Sequence, residues 1–386
     1  MANKSIFVDN INGVLRNMPP MDLIRSMQIT FDEYEKNEVA KFQESFVDKY
    51  FTFNPIQMSL TAEALMGRYN FRIMASVIGN EAGTPLRASK GFDVWTKEIP
   101  RIGHKYPMKA KDLRTLYAVL ENSRVSDSAK VNQLEKSFIA TVEEAYMGCK
   151  DTLDYIVLYA LFNCGVVNFT PDVNNPQGIE YSVDYLMPID NQKISPKLWN
   201  ATNSAAGNLD IFMQLQDIVQ EMSDKGIDCG EILVDPQIYS FVCRETNVRK
   251  QVLGNDRSSA MVTNDQLQNA LASYGIPKMT QIRRRMAKEE DGVRSLLNPI
   301  NLNRIVFLPS GNLGEVQPAV EDSDLIPEEN VSYINSAEGI KVSKWSVGDS
   351  TGQQPTEYTQ AAGRLLPIIT EIKGVYSLQV RGFDEN

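Results

Sequence analysis

The spacing of apolar residues changes several times along the chain, and each change predicts a new element. After Pro19-Pro20, apolar side chains recur at Met21, Ile24, Met27, Ile29 and Phe31, and a second set follows at Val39, Phe42, Phe46 and Tyr50. Steps of three or four predict short amphipathic helices. Such segments are marginal alone, so 1–65 reads as an arm that docks on something else. From 68 onward the period falls to two: Phe71, Ile73, Ala75 and Val77 alternate with Arg72, Met74 and Ser76. A tip with Gly79, Asn80, Gly83 and Pro85 follows, and alternation returns over 92–99. This predicts a long hairpin over 66–107. Both strands are half polar, so the hairpin must lie against a partner or project.

The helical period then returns over 128–163, with Val131, Leu134, Phe138, Val142, Ala145, Cys149, Leu153, Ile156 and Ala160 on one stripe. Ser126, Asp127 and Ser128 offer N-cap oxygens, and Gly165 offers a left-handed stop. A helix of this length is a rod of ~54 Å, far longer than the usual three turns. Strands are predicted at 166–169 and 179–187, joined by a turn at 174–178. Beyond Pro196 and Trp199 the pattern becomes mixed α/β. A helix at about 205–225 carries Leu209, Phe212, Val219 and Met222 and ends at Gly226. A strand at 231–235 stops at Pro236; helices follow near 237–252 and 265–274, the second capped by Asn264 and ended by Gly275. Strands are predicted at 278–286, 303–308, 314–320 and 375–380. The segment 321–345, with Glu321, Asp322, Asp324, Glu328 and Glu329, reads as an acidic loop. The fold class is α+β, and 386 residues suit two or three domains.

Composition narrows the function. A hydrophobic fraction of 42% supports a sizeable core. No run approaches the ~18 apolar residues of a membrane span, and the N-terminus lacks a signal-peptide pattern, so the chain is expected to stay in the cytoplasm where it is made. A net charge of −10 argues against a dedicated nucleic-acid binder. Cys149, Cys164, Cys229 and Cys243 form no CxxC pair and read as free buried thiols. His104 is the single histidine, which excludes zinc sites with several histidines. Lying beside Lys105, it reads as an exposed or interface residue. The segment Gly311-Asn312-Leu313-Gly314 follows a strand but lacks the Lys and Ser/Thr of a phosphate loop, so it reads as a tight turn. The clusters Glu289-Glu290-Asp291 and Glu321-Asp322-Asp324 lack calcium-loop spacing. No catalytic, cofactor-binding or metal-ligating residue is assigned, and no enzyme is expected. The dense basic run is Arg283-Arg284-Arg285 with Lys288; as a strand it places Arg283 and Arg285 on one face and Arg284 on the other.

One resemblance joins these observations. Trp199, then Asn208-Leu209-Asp210-Ile211 opening a helix, then Ile232-Leu233-Val234-Asp235-Pro236-Gln237, resembles the major capsid proteins of tailed bacteriophages, with the closer likeness to the lambda-type head proteins. Asp291-Gly292, the strand 303–309, Gly311 and Leu313-Gly314 resemble that family's acidic turn, core strand and corner. The resemblance implies the Hong Kong 97 capsid fold. Its parts would be an N-terminal arm at 1–65, an E-loop hairpin at 66–107, a peripheral domain of 108–200 with 321–386 that includes the spine helix 128–163, and an axial α/β domain at 201–320. It also implies hexamers and pentamers closing an icosahedral shell around double-stranded DNA bound without sequence specificity. Scaffold, portal and decoration proteins are the further partners implied; no cofactor and no membrane is. Assembly in the host cytoplasm would place the chain in the virion. The E-loop residues expected to touch a neighbouring subunit are Phe71, Ile73, Val77, Lys90, Trp95 and Lys97. Some relatives join subunits covalently through an E-loop lysine, and Lys90 and Lys97 are the lysines of this hairpin. The basic run would meet packaged DNA or a neighbouring subunit, or else be a solvated strand. The competing readings are an encapsulin-like compartment, an oligomeric α/β enzyme with its site near 235 and 309, and a tail or portal component.

Overall fold

The apolar stripe predicted over 128–163 folds as one helix, Asp127–Phe162. The computed structural model describes residues 45–66, 93–121, 126–170, 180–254, 260–290, 293–348, 354 and 356–382. Val142, Ala145, Cys149, Leu153, Ile156 and Ala160 of the stripe are all buried. At the C-terminal end Cys164 and Gly165 both adopt positive φ, and the Gly165 N–H donates to the Ala160 carbonyl at 2.7 Å, closing the helix. A Cβ at Gly165 would sit 2.9 Å from the Met187 Cβ, so the stop requires glycine for space as well as for φ. Among the described residues no helix is long and apolar enough to cross a membrane.

The chain divides into two compact units. The first comprises Met1–Ala62, Lys97–Asp154 and Glu315–Pro367. Its sheet runs in the order Phe51–Phe53, Gly314–Ala319, Thr356–Ile368, Ile340–Val347, Ser332–Asn335, and Arg101–Met108 also pairs with Thr356–Ile368. The thirteen-residue strand Thr356–Ile368 is the centre of this sheet. It escapes the sequence reading because Ala361-Ala362-Gly363 interrupts any strong β signal. Two further expectations are corrected here. The segment 321–345 is no loop: after a short helix, Asp322–Leu325, it forms an antiparallel pair with Ser332↔Lys344 and Asn335↔Lys341 in register. The outgoing limb of the hairpin does not run unbroken to 107, because Pro100 has no N–H to continue the ladder and Arg101–Met108 joins the large sheet instead.

His104 lies on that strand and is half-buried. Its Nε2 is 2.7 Å from the Ala145 carbonyl, and its ring covers Gly148. A Cβ on Gly148 would meet the His104 Cε1 at 1.9 Å. Gly148→Ala should therefore displace the ring and lower the unfolding free energy by about 1–3 kcal/mol, measured by urea denaturation. An unchanged midpoint would mean that the ring moves away without cost.

The second unit comprises Glu63–Thr96, Tyr155–Gly314 and Ile368–Asn386. Its mixed sheet has the order Gln192–Ile194, Tyr376–Gln379, Arg304–Pro309, Cys229–Val234, Met279–Gln281, with parallel pairings at both edges and antiparallel ones at the centre. Ile232, Val234, Ile305 and Phe307 of the sheet share one core with Phe212 and Leu215, Ile238 and Val242, and Leu267 and Leu271 from three helices. Trp199 closes this core; its Nε1 donates to the Gln214 Oε1 at 2.8 Å, which also accepts from the Ser195 hydroxyl, so no polar atom of the trio is left unpaired.

Several boundaries shift for identifiable reasons. The helix expected at about 205–225 is two, Ala201–Ala205 and Ile211–Asp224, because Gly207 takes positive φ and Asp210 caps the second by accepting from the Met213 N–H. The helix expected at 237–252 is also two, Pro236–Arg244 and Thr246–Leu253, with Glu245 capping the latter. Thr263, rather than Asn264, caps Asn264–Ser273 through a capping box with Gln266. The strand expected at 179–187 is four residues, Tyr181–Asp184.

Candidate assembly surfaces

The hairpin base is held by Thr61–Met66 pairing with Asp93–Glu98. Of the residues expected to touch a neighbour, Phe71, Ile73, Val77 and Lys90 lie outside the described residues. Trp95 is buried in its own subunit: its Nε1 donates to the Asp184 carbonyl at 2.9 Å, and its ring stacks on Tyr185 at 5.5 Å between centroids. Burial pushes the Tyr185 phenol well above its usual pKa, as expected for a hydroxyl in this apolar stack. Lys97 is half-buried, whereas Val94 is exposed. The alternation that marks this limb as a strand is thus also what turns Trp95 inward and Val94 outward.

Just before the hairpin, Ile56, Met58 and Leu60 are all exposed large apolar residues. The segment carrying them is fixed to the sheet of the first unit: the Gln57 N–H donates to the Pro318 carbonyl at 3.1 Å, and the Val320 N–H donates to the Gln57 carbonyl at 2.9 Å. Their i, i+2, i+4 spacing was the signal available in the sequence.

The arm joins this unit through a buried ionic cluster that sequence spacing does not reveal. Asp154, fully buried, accepts from the Phe46 and Val47 N–H groups at 3.0 and 2.9 Å, at the N-terminus of Phe46–Tyr50. Lys150, one turn back, lies 2.7 Å from the Asp48 Oδ1 and 2.6 Å from the Glu338 Oε2. Tyr146, another turn back, donates to the Glu338 Oε2 at 2.6 Å. Burial first, and then the Glu338 charge, raises the Tyr146 pKa well above its usual value. The acids of 321–338 are largely paired: Glu321 with Arg101, Asp322 with Arg364, Asp324 with Lys341, and Glu338 with Lys150. The Arg364 guanidinium holds the Asp322 carboxyl below its ordinary value.

The basic run is not a strand. Arg283, Arg284 and Arg285 follow Met279–Gln281 and precede Met286–Glu290, in extended chain outside both. Without a ladder their alternation between two faces is lost, and each arginine takes its own partner. Arg283 donates to the Gln281 Oε1 at 2.9 Å. Arg285 Nη2 is 2.8 Å from the Asp235 Oδ2, while the Asp235 Oδ1 accepts from the Gln237 N–H at 2.7 Å. Asp235 is fully buried, so Arg285 is committed within the subunit and is not a free cation for DNA. Arg285→Ala should lower the unfolding free energy by about 2 kcal/mol, less than for a wholly buried pair because Asp235 keeps its backbone donor. Chemical denaturation reads this directly; no loss would mean that water replaces the guanidinium.

Among the described residues no group of three His, Cys, Asp or Glu side chains is placed to hold a metal ion. Cys149 and Cys229 are pushed up to about 12 by burial, so neither thiol is activated as a nucleophile.

No protein-family model matches the chain, and no curated protein sequence does. Solved structures do. The protein assigned as the capsid protein of an Escherichia coli CFT073 prophage is 10% identical, with a TM-score of 0.54 over 92% of this chain and 98% of its own. The capsid of Myoviridae phage XM1 is 11% identical, covering 88% of this chain and 94% of that one, at 0.40. A virus-like particle from Pyrococcus furiosus is 10% identical, covering 94% and 100%, at 0.39. The argument rests on the first alone: its likeness spans nearly the whole of both chains and includes both units. With an α+β architecture, a 36-residue helix and two separate sheets in common order along the chain, this protein has the fold of a phage capsid protein.

Proposed function

We propose that this chain is the repeating subunit of a tailed-phage head, with the Hong Kong 97 architecture, assembling as hexamers and pentamers into an icosahedral shell around double-stranded DNA. The observation that carries the reading is the fold likeness over 92% of the chain to the prophage capsid protein. The subunit's physical design supports it. The hairpin base is a two-stranded ribbon, which gains burial by lying across another copy. The long helix supplies a rigid edge for repeated contacts. In this reading 1–65 is the arm, 66–107 the E-loop, 108–200 with 321–386 the peripheral domain and 201–320 the axial domain. The virion is then its destination, and scaffold and portal proteins are its assembly partners. The net charge of −10 means that DNA contact is confined to local basic patches, with Arg283, Arg284 and Lys288 as candidates.

The test is negative-stain microscopy with sedimentation velocity on the purified chain, alone and co-expressed with a scaffold from the same genome. Closed shells, or discrete hexamers and pentamers, are expected. A monomer under every condition would overturn the reading. Shells that load a co-expressed enzyme and exclude DNA would identify a protein-storing compartment instead.

A further inference from the structure

Within the shell reading, two surfaces of this chain are matched in chemistry. Met286–Glu290 and Val293–Leu297 pair only with each other, forming a two-stranded ribbon in the second unit. The register places Ala287, Glu289, Arg294 and Leu296 on one face. Val293 and Leu296 are 69% and 80% exposed, and every residue from Val293 to Leu296 is exposed. An isolated ribbon with its apolar side chains in water is unfavourable, and its natural completion is a partner. The segment 283–297 carries five basic residues against three acidic ones in a chain of net charge −10, so it is locally positive.

The complementary surface lies in the first unit, at Asp322–Leu325 and the residues after it. Leu325 and Ile326 are 59% and 81% exposed, and Glu328 and Glu329 are exposed beside them. No lysine or arginine occurs from Glu321 to Ile340. Each surface therefore offers a pair of exposed large apolar residues, one set in a basic surround and the other in an acidic one.

We propose that the 286–297 ribbon of one subunit docks on the 322–330 segment of a second copy of this chain, Leu296 and Val293 against Leu325 and Ile326, with Lys288 and Arg294 facing Glu328 and Glu329. Every copy carries both halves, so the contact is head-to-tail and repeats from subunit to subunit. Charge complementarity sets its register and excludes ribbon against ribbon.

The test uses three full-length variants: Lys288→Glu with Arg294→Glu, Glu328→Lys with Glu329→Lys, and all four together. Each is checked for native folding by its urea midpoint, and its critical concentration for assembly is measured by sedimentation beside the unmodified chain. Each two-site variant should fold and need an about tenfold higher concentration to assemble, while the four-site variant returns towards the original value. An equimolar mixture of the two-site variants should also co-assemble, because each supplies the complement the other lacks; a contact within one chain would not respond in this way. Folded two-site variants with an unchanged critical concentration, or a four-site variant without recovery, would overturn this contact and leave the shell reading standing. An unmodified chain that never associates would overturn both.

Discussion

Lys150→Met is expected to unfold the first unit more readily by about 3–5 kcal/mol, the range for breaking a buried ion pair from one side. The reason is the number of groups that depend on one ammonium. Lys150 is buried and lies between Asp48, itself almost inaccessible, and Glu338. Methionine would fill much of the volume but leave two carboxylates facing each other without a cation. The substitution also removes the tie between Phe46–Tyr50, the long helix and the turn at Glu338, so the base of the arm should loosen with it. Urea denaturation gives the loss in stability, and proteolysis near Ser45 gives the local effect. If Lys150→Met costs under about 1 kcal/mol, the cluster is solvated in solution and its role as the arm's anchor is wrong. The variant in which Asp48 and Glu338 are neutralised as well should recover much of the loss, because a buried pair replaced as a whole is far cheaper than one broken.

The second large effect is a dependence on pH. Lys344 is buried inside the six-stranded sheet, where its Nζ donates to the Thr359 hydroxyl at 2.6 Å. Desolvation lowers its pKa to about 8, with the Glu357 charge acting in the opposite direction. A lysine depressed in the folded state is neutral there while still protonated in the unfolded chain between pH 8 and its ordinary 10.5. The unfolded state then binds more protons, so stability rises with pH across that window. Below pH 8 the full cost of the buried charge is present, on the order of 3 kcal/mol from the size of the shift. Lys344→Met should flatten this rise. Comparing denaturation midpoints of the two chains between pH 7.5 and 10 isolates the lysine, since groups common to both cancel in the difference. Parallel curves would mean that Lys344 titrates normally and its site admits water.

Much of the architecture was legible along the chain because it rests on local periodicity. The 128–163 stripe predicted a helix found at Asp127–Phe162, and the strand at 166–169 was placed without error. Gly165, Gly226 and Gly275 mark helix ends because a left-handed residue is needed there whatever the tertiary surroundings. The capsid likeness was readable from Trp199, Asp210 and the Asp235-Pro236 pair, and these have structural reasons to be where they are: a core plug, a helix cap, and a cap followed by proline at the first helical position.

What only the tertiary structure decided concerns residues whose partners are remote in sequence. The acids of 321–338 read as a solvated loop because nothing nearby is basic; their cations, Arg101, Arg364, Lys341 and Lys150, arrive from other strands and from the long helix. Arg285 read as a candidate for DNA until Asp235, fifty residues earlier, was found to hold it. Trp95 read as a neighbour's contact, since alternation says that a face is apolar but not which protein surface covers it, and Tyr185 of the same chain does so. His104 read as exposed because the glycine it covers, Gly148, sits on a different element. Hydrophobic period is a property of neighbouring residues and is written in the chain. The pairing of charges and the covering of faces depend on which elements the fold brings together, and no local pattern carries that information.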